Sequence, residues 1–102
     1  MAKPVKRLDP IPPGEILLEE FMRPHGISQN RLARDIDVNP VRVNDIVHGR
    51  SSITAAIALR LAKYFRTTPE LWLNLQADYD LRLARARDWP KVEPRVRVLA
   101  AE

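Results

Sequence analysis

Residues 28–50 read SQNRLARDIDVNPVRVNDIVHGR, and they contain two short helical patterns with almost nothing between them. The first pattern starts after Ser28, a residue type that commonly caps helix N-termini. One face of it carries the apolar residues Leu32, Ala33 and Ile36. The second pattern has Asn39 as its N-cap and Pro40 as its first helical residue, and Gly49 ends it. These signals predict two helices that meet at a sharp turn.

Asp37 occupies the turn between the two predicted helices, and its residue type suits that position. A tight turn between helices often needs a positive φ, which aspartate tolerates better than most residues. Ala33 is small enough to let the two helices approach closely. The pattern predicts a helix-turn-helix whose second helix is the recognition helix and enters the major groove of DNA. A plain antiparallel helix pair is the alternative.

The outer face of the recognition helix carries side chains that can recognise bases. The apolar residues Val43, Ile46 and Val47 follow helical spacing and face the predicted core. The opposite face holds Val41, Asn44, Asp45 and His48, with Pro40 and Arg42 in the exposed first turn. Arginine can bond guanine with two donors, asparagine can pair with adenine, and a valine methyl can contact the thymine methyl. Asp45 can accept from cytosine or pair with Arg42, and we expect the pair.

Residues beside the recognition helix suit the DNA backbone. Gln29 and the N-terminal amides of the preceding helix suit one phosphate, because a helix N-terminus presents free donors. Arg50 and Ser51 can contact another, whereas we expect Arg31 and Arg34 to be solvated. The predicted DNA-binding set is Ser28, Gln29, Asn39, Pro40, Val41, Arg42, Asn44, Asp45, His48, Arg50 and Ser51.

The whole chain predicts an all-α, five-helix domain over residues 13–88. Residues 1–12 contain three prolines and predict an extended N-terminal arm. The first helix starts at Pro13, the fourth is capped by Thr54 and is the central buried helix, and the fifth is capped by Thr68 and reaches Arg87. Residues 89–102 form a tail, where alternation over 95–98 indicates either a short strand or a frayed end.

The fifth helix carries more apolar surface than one core contact requires. One stripe is formed by Trp72, Leu75, Tyr79 and Leu83. We expect this stripe to form a homodimer, and a wide contact with the chain's own core is the alternative. In such a dimer two recognition helices about 34 Å apart would contact half-sites one helical turn apart.

Composition narrows the function further. The chain has 102 residues, a net charge of +4 and no cysteine, which excludes disulfides and thiolate metal sites. Its start has no apolar signal segment and no apolar run reaches bilayer length, so we expect a cytoplasmic protein without a membrane span. The two histidines are not spaced as metal ligands, and an acidic patch at Glu15, Glu19 and Glu20 has no pocket signal. We therefore expect no cofactor and no enzyme activity.

Two stretches carry a family resemblance that covers residues 13–83. They are PGEILLEEFMRPHGISQNRLARDIDVNPVRVNDIVHGR (residues 13–50) and SSITAAIALRLAKYFRTTPELWLNLQADYDL (residues 51–81), and PELWLNLQ at 69–76 is the most diagnostic part. The chain resembles the HigA antitoxins of the Xre/Cro-like, lambda-repressor-like helix-turn-helix family. Asp37 departs from the usual turn glycine and His48 from a common asparagine, which leaves the operator sequence open.

The resemblance implies more than the residues show by themselves. HigA-like proteins are dimers that bind palindromic double-stranded operator DNA in their own promoter, and they neutralise a HigB toxin, a small RelE-like ribonuclease. The arm and the first helix are the candidate toxin surface by elimination only. A stand-alone Xre-family repressor without a toxin is the alternative, and it would share every predicted DNA-binding residue.

Overall fold

The computed structural model describes residues 9–100, and the regular secondary structure in this part of the chain is all helical. Helix α1 (Pro13–Ile16) continues as a π-helical stretch (Leu17–Met22) and a 3-10 turn (Arg23–His25). Then follow α2 (Gln29–Ile36), α3 (Pro40–Val47), α4 (Ala55–Phe65), α5 (Pro69–Arg87), α6 (Trp89–Val92) and a 3-10 turn (Glu93–Arg95). None of the helices in this part is long and apolar enough to traverse a bilayer.

The predicted all-α fold is confirmed, and the ends of the chain differ from expectation. No strand forms among residues 9–100, so the predicted C-terminal strand is absent. Residues 89–95 fold instead as α6 and a 3-10 turn, because Asp88 at the end of α5 keeps helical angles and the chain continues to coil. The predicted arm is described only from Asp9 onward, and residues 1–8 lie outside the described part.

Four side chains start the main helices as the sequence predicts. Ser28, Asn39, Thr54 and Thr68 each accept a hydrogen bond from a backbone N–H in the first turn of the following helix. The shortest of these bonds runs from the Val41 N–H to Asn39 Oδ1 at 2.7 Å. Each cap contributes about 1 kcal/mol, because it satisfies a donor that the helix leaves free.

Helix α4 is the central buried helix, as predicted. Its buried residues are Ile57, Ala58, Leu61 and Ala62. They join one core with Leu17 before them in the chain, with Leu32 of α2, with Val43 of α3 and with Trp72 of α5. The core therefore fixes the position of α2 and α3 relative to the rest of the domain.

Helix α1 begins in direct contact with the end of α3. A Cβ atom built at Gly14 would overlap the carbonyl oxygen of Ile46 and would lie 2.7 Å from its carbonyl carbon. It would also lie 2.9 Å from Val47 Cα. Only glycine permits this approach, so Gly14 sets how closely α1 supports the recognition helix.

Candidate nucleic-acid interface

The turn between α2 and α3 has the conformation that the sequence predicts. Asp37 adopts the left-handed region, with φ 59° and ψ 55°. The Val38 N–H then donates to the Ala33 carbonyl at 2.9 Å, which closes the end of α2. Asn39 caps α3 immediately afterwards. The left-handed residue lets the chain reverse within three residues, and this places α3 across α2.

Helix α2 is tied to α4 by polar contacts that sequence reasoning missed. The Tyr64 hydroxyl donates to Asp35 Oδ2 at 2.6 Å, and Arg31 Nε lies 3.3 Å from the same oxygen. Arg60 Nε donates to the Ile36 carbonyl at 3.0 Å, so it satisfies an acceptor at the C-terminal end of α2. These partners lie 29 and 24 positions apart in the chain, and no local pattern pairs them.

The contact between Tyr64 and Asp35 also changes their acidity. The hydrogen bond from Tyr64, together with the nearby Arg31 guanidinium, lowers the pKa of Asp35 below its ordinary value of 3.8. The same hydrogen bond and partial desolvation raise the pKa of Tyr64 above 10.0. Both shifts favour an ionised Asp35 and a protonated Tyr64, so the pair holds α2 against α4 at neutral pH.

The buried face of α3 is the predicted one, and its outer face is exposed only in part. Val43, Ile46 and Val47 are buried in the core. On the opposite side Val41 is 67% exposed and Asn39, Pro40 and His48 are exposed, whereas Arg42, Asn44 and Asp45 are half-buried. An isolated valine with this exposure is available to a partner surface such as a thymine methyl.

Four predicted DNA-binding residues form one polar network beside this face. Asn44 Nδ2 donates to Gln29 Oε1 at 2.8 Å, which joins α3 to the N-terminus of α2. Arg50 Nη2 donates to Asn44 Oδ1 at 2.8 Å, and Arg50 Nε donates to Asp45 Oδ1 at 3.1 Å. The network brings Gln29, Asn44, Asp45 and Arg50 together and fixes their orientations.

The prediction that Asp45 forms an ion pair with Arg42 is wrong. After Gly49, which has φ 78°, the chain folds back and brings Arg50 against Asp45. The backbone N–H groups of Arg50 and Ser51 also donate to the Asp45 carbonyl, at 2.7 and 3.1 Å. The side chain and the carbonyl of Asp45 therefore both stabilise the loop after α3.

Arg42 is left with an unused donor. It is half-buried, and its Nε atom is enclosed without a hydrogen-bond partner among residues 9–100. A buried donor without an acceptor is costly, so it favours a movement of the side chain that gives Nε a partner. Guanine and phosphate both present acceptor oxygens to an arginine that turns outward.

His48 and Ser28 are each held by one contact and keep one free polar atom. The Asn44 carbonyl lies 2.8 Å from His48 Nδ1, and because a carbonyl only accepts, Nδ1 is the donor and Nε2 faces outward. The Ser28 hydroxyl accepts from the Arg31 N–H at 3.1 Å, and its own proton can still be donated. Within the described residues no group of three or more acidic or histidine side chains could hold a metal ion.

The predicted dimer stripe on α5 needs correction at Trp72. This side chain has 0% exposure, its Nε1 donates to Thr67 Oγ1 at 2.8 Å, and its ring lies 4.7 Å from that of Phe21. Trp72 therefore belongs to the core of its own chain. Leu75 is half-buried against that core, and Tyr79 and Leu83 are half-buried too.

Apolar side chains are more exposed on another part of α5 and on α6. Leu81 is 50% exposed and Trp89 is 41% exposed. Together with Ala84 and Arg85 they line one concave surface. Leu73, nearer the start of α5, is exposed as well. The distinction between these residues and Trp72 depends on where α1 and α4 pack, which the helical period does not specify.

Known proteins resemble this chain in sequence and in structure. Residues 18–72 match the helix-turn-helix family HTH_3. Virulence-associated protein I of Dichelobacter nodosus is 49% identical over 74 residues, which are 72% of this chain and 68% of that protein. An addiction-module antidote protein of the HigA family from Coxiella burnetii has 47% identity and a TM-score of 0.83, covering 90% of this chain and 100% of that one.

A third similar protein was solved with DNA. It is the Pseudomonas aeruginosa antitoxin HigA with the higBA promoter, at 42% identity and a TM-score of 0.84, covering 89% of this chain and 99% of that one. The family match spans the helix-turn-helix, and the two structural matches extend over about nine-tenths of the chain. The chain belongs to the Xre-like helix-turn-helix family, and its structural neighbours are HigA-family antitoxins.

Proposed function

We propose that this chain is the antitoxin of a HigBA-type toxin–antitoxin module, which binds operator DNA in its own promoter as a dimer and neutralises a RelE-like ribonuclease toxin. The observation that carries the proposal is the exposed face of α3, with its prearranged polar network, in a fold whose HigA neighbour was solved with the higBA promoter. The coarser part, a DNA-binding regulator or antitoxin, follows from the family itself.

In this proposal different residues recognise the bases and contact the DNA backbone. Val41 and His48 present unused apolar and polar atoms on the outer side of α3, and we assign Arg42, whose enclosed Nε has no partner among residues 9–100, to base recognition after its side chain turns outward. Asn44 is bonded through both its amide nitrogen and its oxygen, so it orients Gln29 and Arg50 as well as facing the groove. Gln29, at the N-terminus of α2, then directs its own amide nitrogen to a phosphate or a base edge.

The remaining predicted residues support the backbone contacts. Arg50 and Ser51 lie on the loop that follows α3, and Ser28 caps the start of α2. Asn39 and Pro40 form its exposed start, and Asp45 contributes by holding Arg50 in place. An arginine held in one orientation loses less entropy on binding phosphate than a freely rotating one.

A dimer is required for a palindromic operator, and the exposed apolar residues of α5 and α6 suit it. Leu73, Leu81 and Trp89 replace Trp72 as the residues that would meet a second copy. Burying such a surface stabilises a dimer by roughly 25 cal/mol per Å² of apolar area before the entropic costs of association.

Arg42→Ala tests the DNA part of the proposal. We expect the free energy of binding to a duplex that carries the chain's own promoter to weaken by roughly 1–3 kcal/mol. Discrimination between bases should also fall at one base pair of the site. Arg34→Ala is the matched control, because Arg34 is an exposed arginine on α2 whose only ion pair within residues 9–100 spans 4.0 Å. Equal losses for both variants on promoter and random DNA would show that Arg42 supplies charge only.

Co-expression with the small reading frame adjacent to the gene tests the antitoxin part. We expect a stoichiometric complex whose partner arrests growth when expressed alone. If the neighbouring product is harmless or does not copurify while promoter binding persists, the chain is a stand-alone Xre-family repressor. Loss of promoter binding at physiological salt would contradict both functions.

A further inference from the structure

One polar side chain is buried with the core in the part of the chain that the structure describes. It belongs to Gln76 on α5, which is 9% exposed. Its Oε1 accepts a hydrogen bond from the Ile53 N–H at 2.8 Å, and its Nε2 donates to Asp80 Oδ1 at 2.9 Å. Both ends of the amide therefore have a partner, as a buried amide requires.

Asp80 determines which end of the Gln76 amide faces Ile53. A carboxylate only accepts hydrogen bonds, so it holds the NH₂ end of the amide and leaves the carbonyl end for the Ile53 N–H. If the amide turned over, Nε2 would face the Ile53 N–H, and two donors would meet without an acceptor. Asp80 lies one helical turn after Gln76 and is exposed, so its side chain can be replaced without opening the core.

The Ile53 N–H lies at the end of the loop that follows α3. This loop carries Arg50 and Ser51, the predicted contacts to the DNA backbone. At the start of the loop, the N–H groups of Arg50 and Ser51 donate to the Asp45 carbonyl. At its end, Ile53 is held by Gln76. A cavity of about 80 Å³ lies between the loop and α5, so the loop is fixed on this side by hydrogen bonding more than by packing.

We propose that Asp80 is a positioning residue for DNA binding, which acts through the Gln76 amide to hold this loop so that Arg50 and Ser51 meet a phosphate. The inference rests on the DNA binding of the proposed function. A loop that is already in the bound arrangement loses less entropy when it binds than a loop that moves freely. Asp80 acts without touching DNA, since a carboxylate beside a phosphate would be repelled.

The sign of the effect separates positioning from charge. Removal of an acidic side chain makes the protein more positive, and by charge alone this strengthens binding to DNA. Loss of the hydrogen bond to Gln76 releases the loop and weakens binding. A variant of Asp80 that binds more weakly therefore indicates positioning, because the change opposes the effect of its charge.

Three full-length variants isolate the hydrogen bond. Asp80→Ala removes both the charge and the acceptor. Asp80→Asn removes the same charge but keeps an amide oxygen that can accept from Gln76 Nε2. Asp78→Ala is the matched control, because it removes one acidic side chain from the same helix, where Asp78 pairs with Arg82 on the surface. Binding to the promoter duplex is titrated over a range of salt concentrations, at a temperature where thermal unfolding shows each variant to be folded.

We expect Asp80→Ala to weaken promoter binding by about 3- to 10-fold, as for a partly lost hydrogen bond to a charged group. The slope of log affinity against log salt should fall by up to about one, because one phosphate contact is impaired. The ratio of promoter to random-duplex affinity should stay as in the wild type, since phosphate contacts carry no base information. Asp80→Asn and Asp78→Ala should bind at least as tightly as the wild type. In an Arg50→Ala background, Asp80→Ala should have little further effect, because the contact that it positions is already absent.

Four outcomes would overturn the positioning role. If the wild type binds its promoter and Asp80→Ala has the affinity and salt slope of Asp78→Ala, Asp80 does not position the loop, while the proposed function stands. Equal losses for Asp80→Ala and Asp80→Asn would assign the effect to charge. A fully additive loss in the Arg50→Ala background would place the effect away from this loop. A wild-type protein that fails to bind its promoter overturns the proposed function and the positioning role together.

Discussion

Replacing Gly14 with alanine tests whether α1 holds the recognition helix in position. The added Cβ would overlap the Ile46 carbonyl oxygen and lie 2.7 Å from its carbonyl carbon, where ordinary contacts begin at 3.4 Å. The obstacle is helix backbone, which cannot rotate away as a side chain could. The carbonyl carbon alone therefore requires α1 and the end of α3 to separate by about 0.7 Å, and the overlapping oxygen requires more.

The expected cost follows from this overlap. Overpacking a well-packed site costs typically about 1–3 kcal/mol. In a domain of this size each kcal/mol lowers the melting temperature by about 4–8 °C. Because α3 carries the predicted base contacts, the displaced helix should also weaken operator binding in the folded variant. Thermal unfolding and operator titration below the transition measure the two effects separately.

Gly26→Ala is the matched control for the substitution at Gly14. Gly26 has φ 64° and no atom within 4 Å of a built Cβ, so alanine there is strained but meets no neighbour. We expect a loss of about 1–2 kcal/mol in stability from the left-handed conformation and no change in operator affinity. If Gly14→Ala melts like the wild type, or if both variants bind the operator equally well, α1 does not position the recognition helix.

Three further predictions concern stability. Gln76→Leu should lower the free energy of unfolding by about 1–3 kcal/mol, because Gln76 Oε1 accepts a hydrogen bond from the buried Ile53 N–H at 2.8 Å and leucine has no acceptor. An unchanged midpoint of denaturant unfolding would exclude this role. Trp72→Ala should lower the free energy of unfolding by about 3–5 kcal/mol, because the ring is fully buried. A variant that loses the dimer but keeps this stability would show that Trp72 lies in the dimer interface. The lowered pKa of Asp35 gives stability that is present above its ordinary value of 3.8 and is lost as the pH falls through the lowered value. Tyr64→Phe should therefore reduce the loss of stability in acid, and identical pH profiles would contradict the contribution of this hydrogen bond.

Much of the helix-turn-helix could be predicted because its signals are local. The caps at Ser28 and Asn39 act within one helical turn, so residue type and spacing suffice to locate them. The left-handed Asp37 is likewise a property of its own backbone. The division of α3 into a buried and an outer face follows from the helical period alone.

Sequence reasoning failed where a side chain had more than one partner within reach. Asp45 has Arg42 one turn earlier, yet the loop after Gly49 brings Arg50 closer, and the direction of that loop depends on the packing of α4. Trp72 belongs to an apolar stripe that could face a second chain or its own core. Its burial follows from the rings of Phe21 and Phe65, which the fold places beside it.

Local signals in the chain therefore suffice to locate the helices, their caps, the sharp turn and the face of α3 that points away from the core. Which polar groups meet across helices depends on how the helices pack. Asn44 reaches Gln29 over 15 positions, and Tyr64 reaches Asp35 over 29. Helical periodicity fixes the direction of a side chain around its own axis, whereas the partner it meets depends on how the axes are packed, and burial of the common core around α4 sets that packing.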